Sequence, residues 1–266
     1  MSLAGSGHGR PLVFAHRGSS AAVAEHTEAA YARAIAEGVD GLECDVRLTR
    51  DGHLVCVHDR RLERTSDGRG AVSRYTLAEL SAFDFGSWHR SDEPVGPAAI
   101  LSFERLLLMA MAAGRPLTLL VETKHPTRHG ASVEQALAAI LRRHGLAEPN
   151  PGATVQVTMM SFSLLAVRRM GQLTPRLPRV LLGSVWLPSR ASLPFGAEIG
   201  GPGMRLVRMR PGLVSRMHQS GHQVYVWTVN EPTDVDLTIE LGVDGIITDR
   251  PAYVMERLHS LGAVYR

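Results

Sequence analysis

The chain has 266 residues, of which 44% are apolar and 21% charged, and its formal net charge is +3 at pH 7. These values are typical of a globular protein with a sizeable core, and about 250 residues is a usual size for one α/β barrel. The basic residues are scattered along the sequence, which argues against a nucleic-acid-binding protein. No apolar run approaches the roughly 20 residues of a membrane span, so stable membrane insertion is not expected.

The cysteines and the N-terminal residues indicate the compartment. Cys44 and Cys56 are too few for a disulfide framework, and we expect two buried free thiols in a reducing environment. The first ten residues, MSLAGSGHGR, lack the long apolar region of a signal peptide. The sequence therefore predicts a cytoplasmic protein, and it contains no readable signal for an oligomeric state.

Strand-like and helix-like segments alternate along the chain. The strand-like runs are residues 12–16, 41–49, 54–58, 117–124, 154–160, 180–183, 206–209, 223–228 and 244–249. Helices are predicted at 27–37, 102–114, 132–144, 163–170, 213–219 and 233–241, with another from Pro251 onward; Thr27 is expected to cap the first, and Ser132 with Gln135 the third. The Pro- and Gly-rich residues 188–202 are predicted to be a loop.

This alternation predicts a parallel sheet, and the number of units favours a (β/α)₈ TIM barrel formed by residues 1–266 as one domain. Nine runs exceed the eight positions of such a barrel. The short link at residues 50–52 leaves no room for a crossover helix, so one flanking run is expected to be a hairpin extension. Residues 60–97 interrupt the pattern as an inserted segment, whose one clear helix begins with a capping box at Thr76 and Glu79.

Ionisable residues follow three apolar runs at the ends expected to carry the site of an α/β fold. Glu43 and Asp45 share one face of their strand, and such a pair repels unless a cation lies between the two carboxylates. Glu122 repeats this position on a later strand and completes three oxygen ligands, which favours Ca²⁺ or Mg²⁺ over zinc. The alternative for Glu122 is a salt bridge to Lys124, which we expect to be less important than metal binding.

Two histidines have positions suited to acid–base catalysis. His16 and His58 each end an apolar strand, next to Arg17 and Asp59 respectively, and imidazole can both take up and release protons near neutral pH. Arg17 and Lys124 would bind the oxygens of an anionic substrate and neutralise charge in the transition state. Asp59 is expected to orient His58 or to brace a loop.

The arrangement of these motifs resembles the glycerophosphodiester phosphodiesterase family. The motifs are His16-Arg17-Gly18, Glu43-Cys44-Asp45, Asp51-Gly52, His58-Asp59 and Glu122-Thr123-Lys124, with Glu25-His26-Thr27 where the family has Glu-Asn-Thr. The resemblance implies that His16 and His58 are the paired catalytic histidines, that Glu25 supports the site and that Trp227 forms an apolar wall for the glycerol. Ser161 and Phe162 are expected to line the site, and Asp249 is interpreted as a structural residue that closes the last strand.

The resulting hypothesis is a phosphodiesterase dependent on Ca²⁺ or Mg²⁺ that splits glycerophosphodiesters into sn-glycerol 3-phosphate and an alcohol. The resemblance implies attack by the 2-hydroxyl of the glycerol and a cyclic phosphate intermediate. One alternative is a lysophospholipase D-type enzyme acting on acylated lipids, which an exposed apolar rim around the insertion would favour. A barrel that binds phosphodiesters without cleaving them is the second alternative.

Overall fold

The computed structural model describes residues 10–90, 96–128, 130–188 and 192–262 of the chain. In these residues nine strands form one sheet: β1 (Leu12–His16), β2 (Gly41–Leu48), β3 (Leu54–Cys56), β4 (Leu117–Thr123), β5 (Val155–Ser161), β6 (Arg179–Gly183), β7 (Ile199–Pro202), β8 (Gln223–Val226) and β9 (Gly245–Thr248). The order is β1-β9-β8-β7-β6-β5-β4-β2-β3, and a further pairing of β1 with β2 closes a barrel of eight parallel strands. The predicted TIM barrel is confirmed, and β3 is the expected hairpin extension because it pairs antiparallel with β2.

Helices follow the strands of the barrel. Those in the described residues are α1 (Glu28–Ala36), α2 (Leu77–Leu80), α3 (Phe103–Met111), α4 (Ser132–Arg143), α5 (Leu164–Leu173), α6 (Met204–Met209), α7 (Gly212–Gln219), α8 (Pro232–Glu240) and α9 (Pro251–Gly262). The hydroxyls of Thr27, Ser102 and Ser163 accept hydrogen bonds from backbone N–H groups in the first turns of α1, α3 and α5. No described helix has the length and apolar content needed to cross a bilayer.

The prediction that Ser132 caps α4 is wrong. Ser132 is the first residue inside the helix, Ala131 occupies the N-cap position, and no side chain caps this end. The sequence Ser-x-x-Gln satisfies the capping pattern, but the backbone enters the helix one residue earlier than the pattern requires.

The predicted strand at residues 206–209 is also wrong. These residues belong to α6, and the seventh barrel strand is β7, within the segment that we predicted to be a loop. A Cβ on Gly200 would lie 2.1 Å from Cε of Met217, and one on Gly201 would lie 2.6 Å from Cδ2 of Leu182. The glycines of β7 therefore allow close packing on both faces of the strand rather than marking a turn.

Side chains alternate between two layers of the barrel. The inner layer consists of strand residues only, among them Phe14, Leu120, Met160, Leu182, Tyr225 and Ile247. The outer layer, between strands and helices, includes Leu42, Cys44 and Val46 of β2. Cys44 and Cys56 are both buried and free, as predicted. Strand side chains alternate with a period of two. Polar residues two positions beyond an inner-layer residue on the same strand therefore project into the barrel mouth.

Residues 60–90 and 96–97 of the insertion cover β3. Their apolar side chains, which include Leu62, Val72, Leu80 and Phe85, form a small cluster with Val55 and Val57 at the strand. The capping box at Thr76 and Glu79 is present at the start of α2, as predicted. Residues 91–95 of the predicted segment lie outside the described residues.

Candidate active site

Candidate residues on or directly after three neighbouring strands, β1, β2 and β4, lie around one cavity at the carboxyl end of the barrel. His16 is in register with Glu43 across the β1–β2 pair, and Asp45 is in register with Glu122 across the β2–β4 pair. His16, Glu43, Glu122 and Lys124 line a cavity of about 130 Å³ together with His58. The structure therefore brings together residues that lie up to 108 positions apart in the chain.

The three acidic residues form a compact carboxylate cluster. One carboxylate oxygen from each of Glu43, Asp45 and Glu122 lies within 4.8 Å of the other two, and all three side chains are buried. Burial and the neighbouring charge of Asp45 raise the pKa of Glu43 well above its usual value and that of Glu122 to about 8. This cluster cannot be fully ionised near neutral pH without an additional positive charge.

The same cluster is suited to a divalent cation. The buried Oδ1 of Asp45 accepts no hydrogen bond, although Nζ of Lys124 lies 3.3 Å away. The possible metal ligands of the cluster are carboxylate oxygens, which hard cations such as Ca²⁺ and Mg²⁺ prefer. These residues therefore fit the divalent metal site that the sequence predicts.

Two cations already lie beside the carboxylates. Nε of Arg17 lies 3.0 Å from Oδ2 of Asp45, and Nζ of Lys124 lies 2.8 Å from Oε1 of Glu122. The close contact between Glu122 and Lys124, the alternative that we expected to be less important than metal binding, is thus present in the described structure. Burial lowers the pKa of Lys124, but the charges of Asp45 and Glu122 outweigh it and raise that pKa. Lys124 therefore remains positively charged and can bind a phosphate group.

His16 is held by Asp249, a contact that was not predicted from the sequence. Its Nδ1 lies 2.6 Å from Oδ1 of Asp249, which follows β9. Asp249 also accepts hydrogen bonds from Ser20 and from the side-chain amide of Asn230. Although burial raises the pKa of Asp249, hydrogen bonding and the charge of His16 lower it to about 2. The interpretation of Asp249 as only a structural residue is therefore incomplete, because its carboxylate sets the orientation of His16.

His58 has a matching partner from its own loop. Nδ1 of His58 lies 2.6 Å from Oδ1 of Asp59, and the other carboxylate oxygen of Asp59 accepts a hydrogen bond from Arg64 at 2.6 Å. Burial, with smaller contributions from the charges of Arg17 and Lys124, lowers the pKa of His58 to about 4. Its imidazole is therefore neutral near pH 7 and available to accept a proton.

Glu25 links the cationic residues of the two sides of the site. Its carboxylate accepts a hydrogen bond from Arg17 at 3.0 Å and two from Arg64 at 2.8 Å. Burial opposes ionisation, but the hydrogen bonds from Arg64 and the charge of Arg17 lower the pKa of Glu25 to about 2. Glu25 thus holds the guanidinium groups of Arg17 and Arg64 on either side of its carboxylate.

His26 occupies the position where the family motif has asparagine. Its Nε2 lies 3.0 Å from Oδ2 of Asp45, and its Nδ1 lies 2.8 Å from the hydroxyl of Tyr31. Its backbone has a φ of 60°, a left-handed conformation that is uncommon for residues other than glycine. His26 therefore acts as a polar support for Asp45.

Part of the cavity lining is apolar. Trp227 and Phe162 line it, and their rings pack edge to face with centroids 5.2 Å apart. The indole Nε1 of Trp227 donates a hydrogen bond to the carbonyl oxygen of Gly201 at 2.8 Å. Phe162 thus lines the cavity as predicted, whereas Ser161 is buried and donates to the carbonyl oxygen of Thr123.

Comparison with known proteins agrees with this geometry. Residues 16–253 match the glycerophosphoryl diester phosphodiesterase family. The chain is 48% identical over 248 residues to a probable glycerophosphodiester phosphodiesterase 1 of Mycobacterium tuberculosis, covering 91% of this chain and 90% of the relative. It is 31% identical over 242 residues to a glycerophosphodiester phosphodiesterase of Caldanaerobacter subterraneus, covering 91% and 95% of the two chains.

A solved structure shows the same likeness. The phosphodiesterase of Oleispira antarctica in complex with the product sn-glycerol-3-phosphate aligns with a TM-score of 0.78 at 25% identity, over 94% of this chain and 97% of that chain. The family resemblance inferred from the sequence is confirmed. The chain belongs to the glycerophosphoryl diester phosphodiesterase family.

Proposed function

We propose that the protein hydrolyses glycerophosphodiesters to sn-glycerol 3-phosphate and an alcohol, with Ca²⁺ or Mg²⁺ bound by Glu43, Asp45 and Glu122. The observation that supports this most strongly is the pair of histidines in one cavity with the carboxylate cluster, each held at Nδ1 by an aspartate at 2.6 Å. A bound cation would supply positive charge to the phosphate oxygens and lower the cost of the developing negative charge.

His16 and His58 would carry the protons of the reaction. One imidazole takes the proton of the glycerol 2-hydroxyl, which attacks phosphorus, while the other protonates the departing alkoxide. In the second step water opens the cyclic phosphate, and the two histidines exchange roles. His58 is neutral near pH 7 in the free protein, and the negative charge of a bound phosphodiester would raise its pKa.

Arg17 and Lys124 would hold the phosphate against these histidines. Both cations are largely buried and anchored by carboxylates, so they keep a fixed geometry while charge builds on the phosphate oxygens. Trp227 and Phe162 would form the wall for the glycerol carbons.

The experiment that tests this mechanism compares glycerophosphocholine with its analogue lacking the glycerol 2-hydroxyl. We expect glycerol 3-phosphate from the natural diester and little turnover of the analogue, because no internal nucleophile remains. His16→Ala and His58→Ala should each reduce kcat by about 10²–10⁴-fold. Equal rates for the two diesters would rule out the internal nucleophile.

One observation favours a second candidate, a lysophospholipase D-type activity on acylated lipids. A cleft of about 520 Å³ shares Trp227 and Thr228 with the catalytic cavity, and it is bordered by Val185. Val185 is 69% exposed and Trp186 62% exposed, whereas the described part of the insertion contains no large exposed apolar side chain. The apolar rim therefore lies beside β6 rather than around the insertion.

Turnover of lysophosphatidylcholine tests this candidate. If the acyl chain lies along this rim, Trp186→Ser should raise the KM for the lysolipid and leave that for glycerophosphocholine unchanged. Leu108→Ser, at an exposed apolar residue on α3, is the matched control. Absence of choline release from the lysolipid would exclude this activity.

We further propose that residues 1–266 form one catalytic domain with residues 60–97 as its insertion, and that the protein works in the cytoplasm. The two free, buried thiols are compatible with a reducing compartment. Cell fractionation with an antibody to the protein would test the location.

A further inference from the structure

A second cleft, which we call the basic cleft, lies next to the catalytic cavity. It is shallow, enclosing only about 20 Å³, and is lined by Arg47, Arg60, Arg128 and Lys124, with no acidic residue among the described residues that border it. Lys124 also lines the catalytic cavity, so the two spaces meet at this side chain. A group attached to a phosphate at Lys124 can therefore extend into the basic cleft.

Two of the arginines that border this cleft have no ion-pair partner in the described part of the chain. The side chains of Arg60 and Arg128 are exposed, and neither forms an ion pair with any residue in the described part of the chain. By contrast, their neighbours Arg61 and Arg64 are paired with Glu63, Glu25 and Asp59. Arg60 and Arg128 thus contribute positive charge at the rim of the cleft.

Arg47 gives the cleft a fixed cationic floor. Its Nε and Nη2 donate hydrogen bonds to the backbone carbonyl oxygen of His58 at 2.9 and 2.7 Å. The guanidinium is therefore held directly behind a candidate catalytic histidine. Burial lowers the pKa of Arg47, whereas the charges of Asp45, Glu122 and Asp59 raise it and that of Arg60 lowers it. Arg47 and Arg60 both border the cleft, and two cations lining one space attract an anion.

The position of the cleft relative to the substrate indicates which group it would hold. Trp227 and Phe162 form the apolar wall that suits the glycerol carbons, and they do not border the basic cleft. With the phosphate at Lys124 and the glycerol at this wall, the other substituent of the phosphodiester is directed away from the wall. That substituent is the alcohol that leaves when the phosphorus–oxygen bond breaks.

We propose that the basic cleft binds an anionic group on the leaving alcohol, so that glycerophosphodiesters whose alcohol carries a phosphomonoester are preferred substrates. This inference rests on the proposed function and specifies its substrate class. The reaction is unchanged: water supplies the hydroxyl on phosphorus and the proton on the alcohol. Guanidinium groups suit this role because they bind phosphate through two parallel hydrogen bonds.

The test compares glycerophosphoglycerol with the same diester carrying a phosphomonoester on its leaving glycerol. We expect kcat/KM to be roughly tenfold higher for the phosphorylated diester at low salt, which corresponds to one or two charge-assisted hydrogen bonds. In the double variant Arg60→Ser/Arg128→Ser this ratio should fall to about twofold or less. Arg61→Ser, which removes a paired arginine from the same segment, should keep the ratio, and added salt should reduce it in the wild type.

Three outcomes would overturn the proposal. Equal kcat/KM for the two diesters in the wild type would show that the cleft contributes nothing to substrate choice. Hydrolysis of neither diester would overturn the proposed function and this inference with it. Loss of binding to phosphatidylglycerol vesicles in the double variant, with an unchanged ratio for the soluble diesters, would assign the cleft to an anionic lipid surface instead.

Discussion

Nδ1 of His16 lies 2.6 Å from Oδ1 of Asp249, although the two residues stand 233 positions apart in the chain. The same distance joins His58 to Asp59, its immediate neighbour. In both pairs a carboxylate at Nδ1 leaves Nε2 directed away from it, and this fixes the nitrogen that exchanges protons with a substrate. The closed barrel makes the first pair possible, because β1 and β9 are adjacent strands.

Asp249→Asn tests the role of the first pair. The amide keeps the volume but removes the charge that orients and stabilises a protonated His16, so we expect kcat to fall by about 10²-fold with little change in KM. Steady-state kinetics with glycerophosphocholine measures this effect. Asp236→Asn, which removes a carboxylate paired with Arg257 on the protein surface, is the control and should leave kcat unchanged. A wild-type kcat for Asp249→Asn would refute the orienting role.

Glu25→Gln tests the electrostatic link between Arg17 and Arg64. The pKa of Glu25 is about 2 in the folded protein, below its usual 4.5, so its ionised form stabilises the fold above about pH 4.5. This stabilisation is lost as the pH falls towards 2. We expect the variant to be less stable at pH 6, by roughly 2–3 kcal/mol, and the difference from wild type to shrink in acid.

Urea unfolding at pH 6, 4 and 3 measures that difference. Glu240→Gln, at an exposed position on α8, serves as the control with an expected difference near zero. A difference between Glu25→Gln and wild type that is constant from pH 6 to pH 3 would show that the carboxylate charge does not stabilise this part of the site.

Metal binding should release protons. Glu122 has a pKa of about 8 and is therefore largely protonated near pH 7 in the metal-free protein, and burial also raises the pKa of Glu43. A carboxylate must lose its proton to coordinate a cation. Calorimetric titration with Ca²⁺ or Mg²⁺ in buffers of different ionisation enthalpy should therefore show proton release at pH 7 that diminishes above about pH 8.

Glu122→Gln should lower the number of protons released and weaken metal binding roughly tenfold or more. Glu240→Gln should change neither quantity. Metal binding by the wild type without proton uptake or release would contradict the idea that these carboxylates are the ligands.

The sequence predicted the barrel and the candidate site because both depend on local patterns. Alternation placed Glu43 and Asp45 on the inner face of β2, and the motif at His58 and Asp59 combined a histidine with its partner. The position of Asp249 against His16 could not be predicted in this way, since it depends on barrel closure between the first and last strands. A polar residue directly after the last barrel strand is the signal that could have suggested it.

Two wrong predictions, the loop at residues 188–202 and the strand at residues 206–209, have identifiable causes. Ile199-Gly200-Gly201-Pro202 has the composition of a turn, yet Gly200 and Gly201 are required by the side chains of Met217 and Leu182 packed on either face. In α6, Met204 and Val207 are buried three residues apart, a helical spacing that a window beginning at residue 206 does not include. The first error comes from tertiary packing that local composition does not encode, and the second from a window that begins two residues inside the helix.

The central proposal is glycerophosphodiester hydrolysis that depends on the carboxylate cluster of Glu43, Asp45 and Glu122. The most direct measurement is the release of glycerol 3-phosphate from glycerophosphocholine after metal removal with EDTA, followed by separate addition of Ca²⁺ and Mg²⁺. We predict that activity disappears with the chelator and returns with at least one of the two ions, and that Glu122→Gln is not restored at the same ion concentration. Full activity in the chelated protein, or no activity with either ion, would contradict the account.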